Sequence, residues 1–303
     1  MARARSSAST VSPRLVGLAL GALGVLGFSF SLPATKLAVG SLDPWFVAFG
    51  RAVAAAALAG FVLVATRARR PSPTQWRRLG IVALGVVVGF PLFTSIALET
   101  SGSAHGAVVI AVLPAATAVA AVARAGERPG RLFWAGAIAG VVVVGVFALA
   151  YSSGAFTAAD LWLLLAVVTC AIGYAEGGAL ARELGGARTI CWALLLSLPL
   201  TLPVALLSAD GLAGASREAW LGFAYVCLVS MFLGFFAWYA GLARGGVARV
   251  SQVQLAQPLL TLLWSALLLG EYVGPGTLLA AVAVLACVLV TQRSRVGGER
   301  TSA

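Results

Sequence analysis

Ten apolar stretches, each close to the length that crosses a bilayer, follow one another along the chain with only short charged or turn-rich joints between them. They run over 15–35, 45–66, 79–98, 103–123, 132–151, 159–181, 189–208, 219–242, 250–270 and 274–292. A helix rises about 1.5 Å per residue and the hydrocarbon core is roughly 30 Å thick, so about 20 apolar residues make one crossing. Lipid offers the backbone no hydrogen-bond partner, so each stretch must be a helix. The expected fold is all-α integral membrane, with ten transmembrane helices and almost no chain left for a soluble domain. A composition of 60% apolar and 10% charged residues agrees.

The formal charge of +11 raises the question of nucleic acid, and the placement of the cations answers it. Of 21 Lys and Arg, 18 fall in the amino-terminal tail, the joints after spans two, four, six and eight, and the carboxy-terminal tail; Lys36, Arg51 and Arg217 are the others. That alternation is the positive-inside bias of a multi-pass protein. It implies a plasma-membrane chain with cytoplasmic tails at 1–13 and 293–303, and a bilayer rather than nucleic acid as partner. The first apolar run exceeds a usual signal core, and its removal would break the alternation, so it is read as span one. Cys170, Cys191, Cys227 and Cys287 have no metal-ligand spacing and read as small packing residues.

The chain also repeats itself. "LPAATAVAAVARAGE" and "QPLLTLLWSALLLGE" place Pro114, Gly126 and Glu127 in register with Pro258, Gly270 and Glu271, 144 residues on. Gly27-Phe28 in span one matches Gly173-Tyr174 in span six, each with a cation nine residues after the glycine, Lys36 and Arg182. "GFPLFTSIAL" in span three answers "GFFAWYAGL" in span eight. The halves are 14–151 and 158–292. Five spans per half force the second half to enter from the opposite face, so these are two inverted five-helix repeats. Inverted repeats that rock about a midplane site are the architecture of alternating-access transporters.

The motifs "GFSFSLPATKLAV", "FVAFGRAVAAAAL" and "YAGLARGGVARVSQVQLAQPLLTLL", with the Pro-x12-Glu ends of spans four and nine, resemble the EamA-type drug/metabolite transporter superfamily. The resemblance covers nearly the whole chain. It implies ten helices around a central cavity and secondary transport, often export of small metabolites or amino acids, without naming a substrate. Arg51 falls where the family's second span carries an arginine.

Candidate pathway residues follow from what lipid tolerates. A mid-helix proline removes a backbone hydrogen bond and frees a carbonyl, so Pro114 and Pro258 read as paired helix bends lining the pathway, or else as static kinks. Ser251, Gln254, Pro258, Thr261 and Ser265 form a polar stripe on span nine, flanked by Gln257; the hydroxyls suit helix contacts and Gln254 and Gln257 suit a cavity. Tyr225, Phe232, Phe236 and Tyr239 take one face of span eight with Trp238 beside it, fit either for a cationic or aromatic solute or for packing. The glycine ladders 17/21/24, 85/89 and 136/140 allow close helix approach.

Ionisable groups within spans carry functional weight because burial is expensive. Glu176, beside Tyr174, is a coupling acid, a contact for a substrate amine, or an interfacial acid that reaches cytoplasmic water or pairs with Arg182. Arg51 pairs with a carboxylate or snorkels. Lys36 meets an anion at the outer mouth or ends span one. His105 titrates in the physiological range and is either a proton sensor or a surface residue at a helix entrance.

No nucleophile elbow, phosphate loop, metal-ligand motif or carboxylate pair emerges, so an enzyme or an ATP-driven pump is disfavoured, and no cofactor or metal is expected. The reading is a secondary active transporter that exports a small organic metabolite or amino acid by alternating access. The alternative is a lipid flippase or membrane-embedded lipid-modifying enzyme. Proton coupling and facilitated exchange fit equally, and transport direction and homodimer formation stay open.

Overall fold

The helix starts are written in short polar signals ahead of the apolar runs. Asp43 accepts hydrogen bonds from the backbone N–H of Trp45 and Phe46 at 2.8 and 3.1 Å, with Pro44 in the first turn, where its missing N–H costs nothing. Ser72 with Gln75, and Thr157 with Asp160, form reciprocal capping boxes. The Ser72 box starts the third helix at Pro73 rather than 79, because the polar turn through Arg78 joins the helix once its first N–H groups are satisfied.

The computed structural model describes residues 13–125, 130–151, 156–245 and 251–299. Its spans are α1 (Leu15–Ala38), α2 (Pro44–Ala65), α3 (Pro73–Thr100), α4 (Ser103–Arg124), α5 (Arg131–Ala150), α6 (Ala158–Leu184), α7 (Gly186–Leu207), α8 (Arg217–Gly241), α9 (Val253–Leu269) and α10 (Pro275–Thr291). Eight are long and apolar enough to cross a membrane, and α9 and α10 are shorter. Glu127 lies outside the described residues.

Helix irregularities recur at the 144-residue offset. A π-helical run occupies Ala83–Gly89 in α3 and Val226–Leu233 in α8. In α4 the helix ends at Ile110 and resumes at Leu113; in α9 a 3-10 turn over Ser251–Ala256 gives way to α-helix at Gln257. Pro114 and Pro258 are each the second residue of the resumed segment. This corrects the expected mid-helix kinks: the helices are broken just before the prolines, and each proline starts a new segment. The wide π turns also put Tyr225 and Tyr239 out of the phase that ordinary helical spacing gave them.

Packing between the halves has the pattern of a two-fold exchange. α1 packs on α8 and α3 on α6, which swap under exchange of the repeats, while α2 packs on α7, α4 on α9 and α5 on α10, each helix on its own counterpart. Glycine sets the closest of these approaches. A Cβ on Gly85 would collide with the Thr169 carbonyl and the Gly173 backbone, so α3 and α6 touch backbone to backbone. One difference breaks the symmetry: α1 is interrupted at Phe30, whereas α6 runs unbroken from Ala158 to Leu184. Aligning Gly27 with Gly173 sets Phe30 opposite Glu176.

Candidate functional site

The two broken helices meet at the repeat interface and enclose a cavity of about 20 Å³, room for one or two waters. Ile110, Pro114, Gln254, Gln257, Pro258 and Thr261 are among the residues lining it. Each proline lacks the N–H that would have bonded the carbonyl four residues earlier, on Ile110 and on Gln254. The side-chain oxygen Oε1 of Gln257 is buried with no hydrogen-bond partner among the described residues. The cavity wall is thus apolar with a few hydrogen-bonding atoms, and at this volume it is water-sized. The stripe hydroxyls that are described go to other helices: Thr261 donates to the Ser29 carbonyl at 2.7 Å, at the break in α1, and Ser265 Oγ lies 2.7 Å from Ser103 Oγ in α4.

At one end of the bundle α9 is tied to α4. Gly270, at φ +63°, ends α9 in the left-handed conformation that glycine adopts without strain. The chain turns there, and the Glu271 carboxylate accepts hydrogen bonds from the N–H of Ser103 at 2.8 Å and of Ala104 at 2.7 Å, and from the Ser103 hydroxyl at 3.0 Å. An anion at a helix N-terminus satisfies unpaired donors and the helix dipole together. An open depression of about 460 Å³ lies on this side, lined by Lys36, Ser41, Ser216, Glu218 and Glu271 among others. Lys36 donates to the Leu98 carbonyl at 2.8 Å, which joins the end of α1 to the end of α3.

The opposite end is held by charge. Glu176 of α6 is paired at once with Arg78 of α3 and Arg124 of α4. Arg78 also holds Glu183, which accepts from Gln75 at 3.2 Å. This corrects the expected Arg182 partner. Arg182 lies six residues on, where a helix turns it to the other side, and the true partners come from two other helices. Arg78 and Arg124 were counted only as cytoplasmic cations in the sequence, and nothing in their local spacing marks them as partners of Glu176.

Further expected residues fall elsewhere. His105 is buried, not at the surface: its Nε2 lies 2.6 Å from Asp160 Oδ1, and its ring stacks on Phe147 at 5.4 Å between centroids. Asp160 was missed, although the Thr157-x-x-Asp160 capping box was visible in the sequence. Among the described residues no carboxylate pairs with Arg51, and it is buried rather than snorkelling, at 3% exposed. Tyr174 meets Phe235 edge-on at 6.3 Å. Trp238 backs on Gly24, and the Tyr239 hydroxyl lies over Gly177, so these aromatics sit in helix contacts outside the small cavity.

This architecture has known relatives. The model of the EamA-like transporter family matches residues 15–150 and again 157–292. The chain is 46% identical over 274 residues to the uncharacterized transporter YdeK of Bacillus subtilis (strain 168), covering 90% of this chain and 96% of that protein. It is 23% identical over 287 residues to the uncharacterized transporter sll0355 of Synechocystis sp. (strain ATCC 27184 / PCC 6803 / Kazusa), covering 88% and 86%. A solved crystal structure shares the fold at 20% identity with a TM-score of 0.64, over 91% of this chain and 96% of that one. With two copies of the family's domain, ten spans and a cavity at their interface, the chain belongs to the EamA-like transporter family and is a multi-pass membrane transporter, not an enzyme.

Proposed function

We propose that this transporter is a secondary carrier of the plasma membrane, with both termini in the cytoplasm, that exports a small organic metabolite or amino acid by alternating access. The observation behind this reading is the cavity between the α4 and α9 breaks, shut at its two ends by unlike bonds. Glu271 on the α4 N-terminus closes the outer end in this orientation, and Glu176 with Arg78 and Arg124 closes the cytoplasmic end. Each set joins helices of different repeats, so rocking of one repeat against the other strains one set while leaving the other intact. Gln254 and Gln257 are the polar contacts for solute in the widened cavity, and Pro114 and Pro258 keep its walls free of helix hydrogen bonds.

The test compares metabolites in the medium and inside cells that make this chain or an equally abundant Gln257→Leu form. Accumulation of one compound outside only the first culture supports export. Depletion from the medium reverses the direction, and a change confined to lipids moves the reading to a flippase.

A further inference from the structure

Four buried charged residues occur among the described residues: Arg51, His105, Asp160 and Glu176. Three are accounted for. Glu176 is held by Arg78 and Arg124, and Asp160 by His105. Arg51 stands apart. No carboxylate pairs with it and its Nε has no hydrogen-bond partner among the described residues. A guanidinium keeps its charge in every protein setting. Left dry and unpaired at this depth it is costly, and intramembrane charges of this kind mark solute or ion pathways.

Its position points inward. Arg51 follows Val47 by one turn of α2 and so shares its face, and Val47 belongs to the core that contains Leu32, Ala97 and Leu98. Leu32 is also part of the cavity wall. Arg51 lies seven residues, about 10 Å, inside the start of α2, and Leu32 six residues, about 9 Å, inside the end of α1, so the two share a layer of the membrane. On α3, three residues before Leu98 and on its side of the helix, Ser95 is fully buried, and its hydroxyl also has no partner among the described residues. One fixed positive charge, one unused hydroxyl and an apolar surround suit a monoanion with an apolar body. A dianion would leave a net negative charge in the dry interior, whereas a carboxylate matches the flat, forked guanidinium with two parallel hydrogen bonds.

We propose that Arg51 receives the carboxylate of the transported solute. This rests on the transporter reading above and narrows it to monocarboxylates, amino acids included. Ser95 adds a hydrogen bond to the same group when the cavity widens. Among the described residues the charge has no partner, and the solute carboxylate supplies one.

The purified protein in detergent, melted with L-leucine, L-phenylalanine, 4-methylvalerate and benzoate, each beside its amide, tests the assignment. At least one acid is expected to raise the melting temperature where its amide does not. Arg51→Met should abolish that difference and Arg51→Lys retain part of it. Without ligand, Arg51→Met should melt at the wild-type temperature or above, since it removes an unpaired buried charge; a fall there would make Arg51 structural and overturn the proposal. So would equal stabilisation by acid and amide, no stabilisation by any acid, or a shift that survives Arg51→Met. Efflux from proteoliposomes separates the two levels. Binding of an acid without its movement sinks the transport reading but keeps the site, and equal movement of acid and amide sinks the site but keeps the transporter.

Discussion

The Glu271 carboxylate caps the first turn of α4, 2.8 Å from the N–H of Ser103 and 2.7 Å from that of Ala104. The two residues are 168 positions apart, one in each repeat, so a helix-capping interaction that is usually local here joins the halves. Glu271→Ala should cost about 2 kcal/mol of local stability at this end, the value of hydrogen bonds to a charged group. Hydrogen exchange should show the backbone of 104–108 opening faster in the variant, with the α3–α6 contact unchanged. Equal exchange in both proteins would mean that the cap does not hold α4.

Glu176 sits between two arginines of unequal exposure, with the Arg78 side chain 19% exposed and that of Arg124 40%. Solvent screening weakens the second pair. Arg78→Ala should therefore impair transport and stability more than Arg124→Ala, and Glu176→Gln should match or exceed Arg78→Ala because it leaves two facing cations. Melting temperatures and efflux rates of the three variants at equal abundance give the order. A larger loss in Arg124→Ala would refute it.

The buried His105–Asp160 pair allows a double-mutant cycle. Asp160→Asn alone should be destabilising, by about 1–3 kcal/mol, because it weakens the hydrogen bond to His105 and the Thr157 capping box. The double change His105→Leu with Asp160→Asn should cost less than the sum of the two single changes. Strict additivity in thermal unfolding would show that the two side chains do not interact.

Gly85 has no room for a side chain. Gly85→Leu should separate α3 from α6, costing at least the roughly 1–3 kcal/mol of overpacking, and lower membrane abundance sharply. Gly80, where a Cβ would meet nothing within 4 Å, serves as control: Gly80→Ala should be neutral or slightly stabilising, since alanine favours helix. Similar losses at both positions would contradict the close approach.

Transport should fall several-fold in Gln257→Leu without loss of abundance, because the change puts an apolar group on the cavity wall and removes the open Oε1 acceptor. Full activity would exclude Gln257 from the pathway.

What the sequence disclosed was whatever repeats or runs locally. The spans follow from apolar length, and the shared register of Pro114 and Pro258 was plain, although it pointed to bends rather than to the breaks that precede both prolines. Gln254 and Gln257 stood out only as amides in and beside the Pro258 stripe. What it hid was pairing across helices. Arg78 lies 98 residues before Glu176, and chain proximity favoured Arg182 instead. His105 and Asp160 are 55 apart, and a lone histidine beside a helix start carries no mark of burial. Arg51 was visible as an intramembrane cation, but that nothing among the described residues pairs with it emerges only from its surroundings.

The π-helical run at Ala83–Gly89 has a bearing on how sequence variants of this chain are interpreted. Up to Val82, α3 presents Arg78 to Glu176; beyond Gly89 it presents Ser95 and Leu98 to the core, and the wide turns set the angle between these two faces. Loss of one residue inside the run would leave hydropathy and span length nearly untouched, so a reading based on membrane-crossing potential would score it as silent. If the remaining turns closed into ordinary α-helix, six residues at about 100° each would turn nearly as far as seven π-helical residues at roughly 82°, and Ser95 and Leu98 would keep their face. The same loss in the α-helical stretches on either side, 73–82 and 90–100, would swing everything beyond it by about 100°, so single-residue deletions there belong with the damaging changes, while those at 83–89, and at the matching 226–233 of α8, are the ones the bundle absorbs.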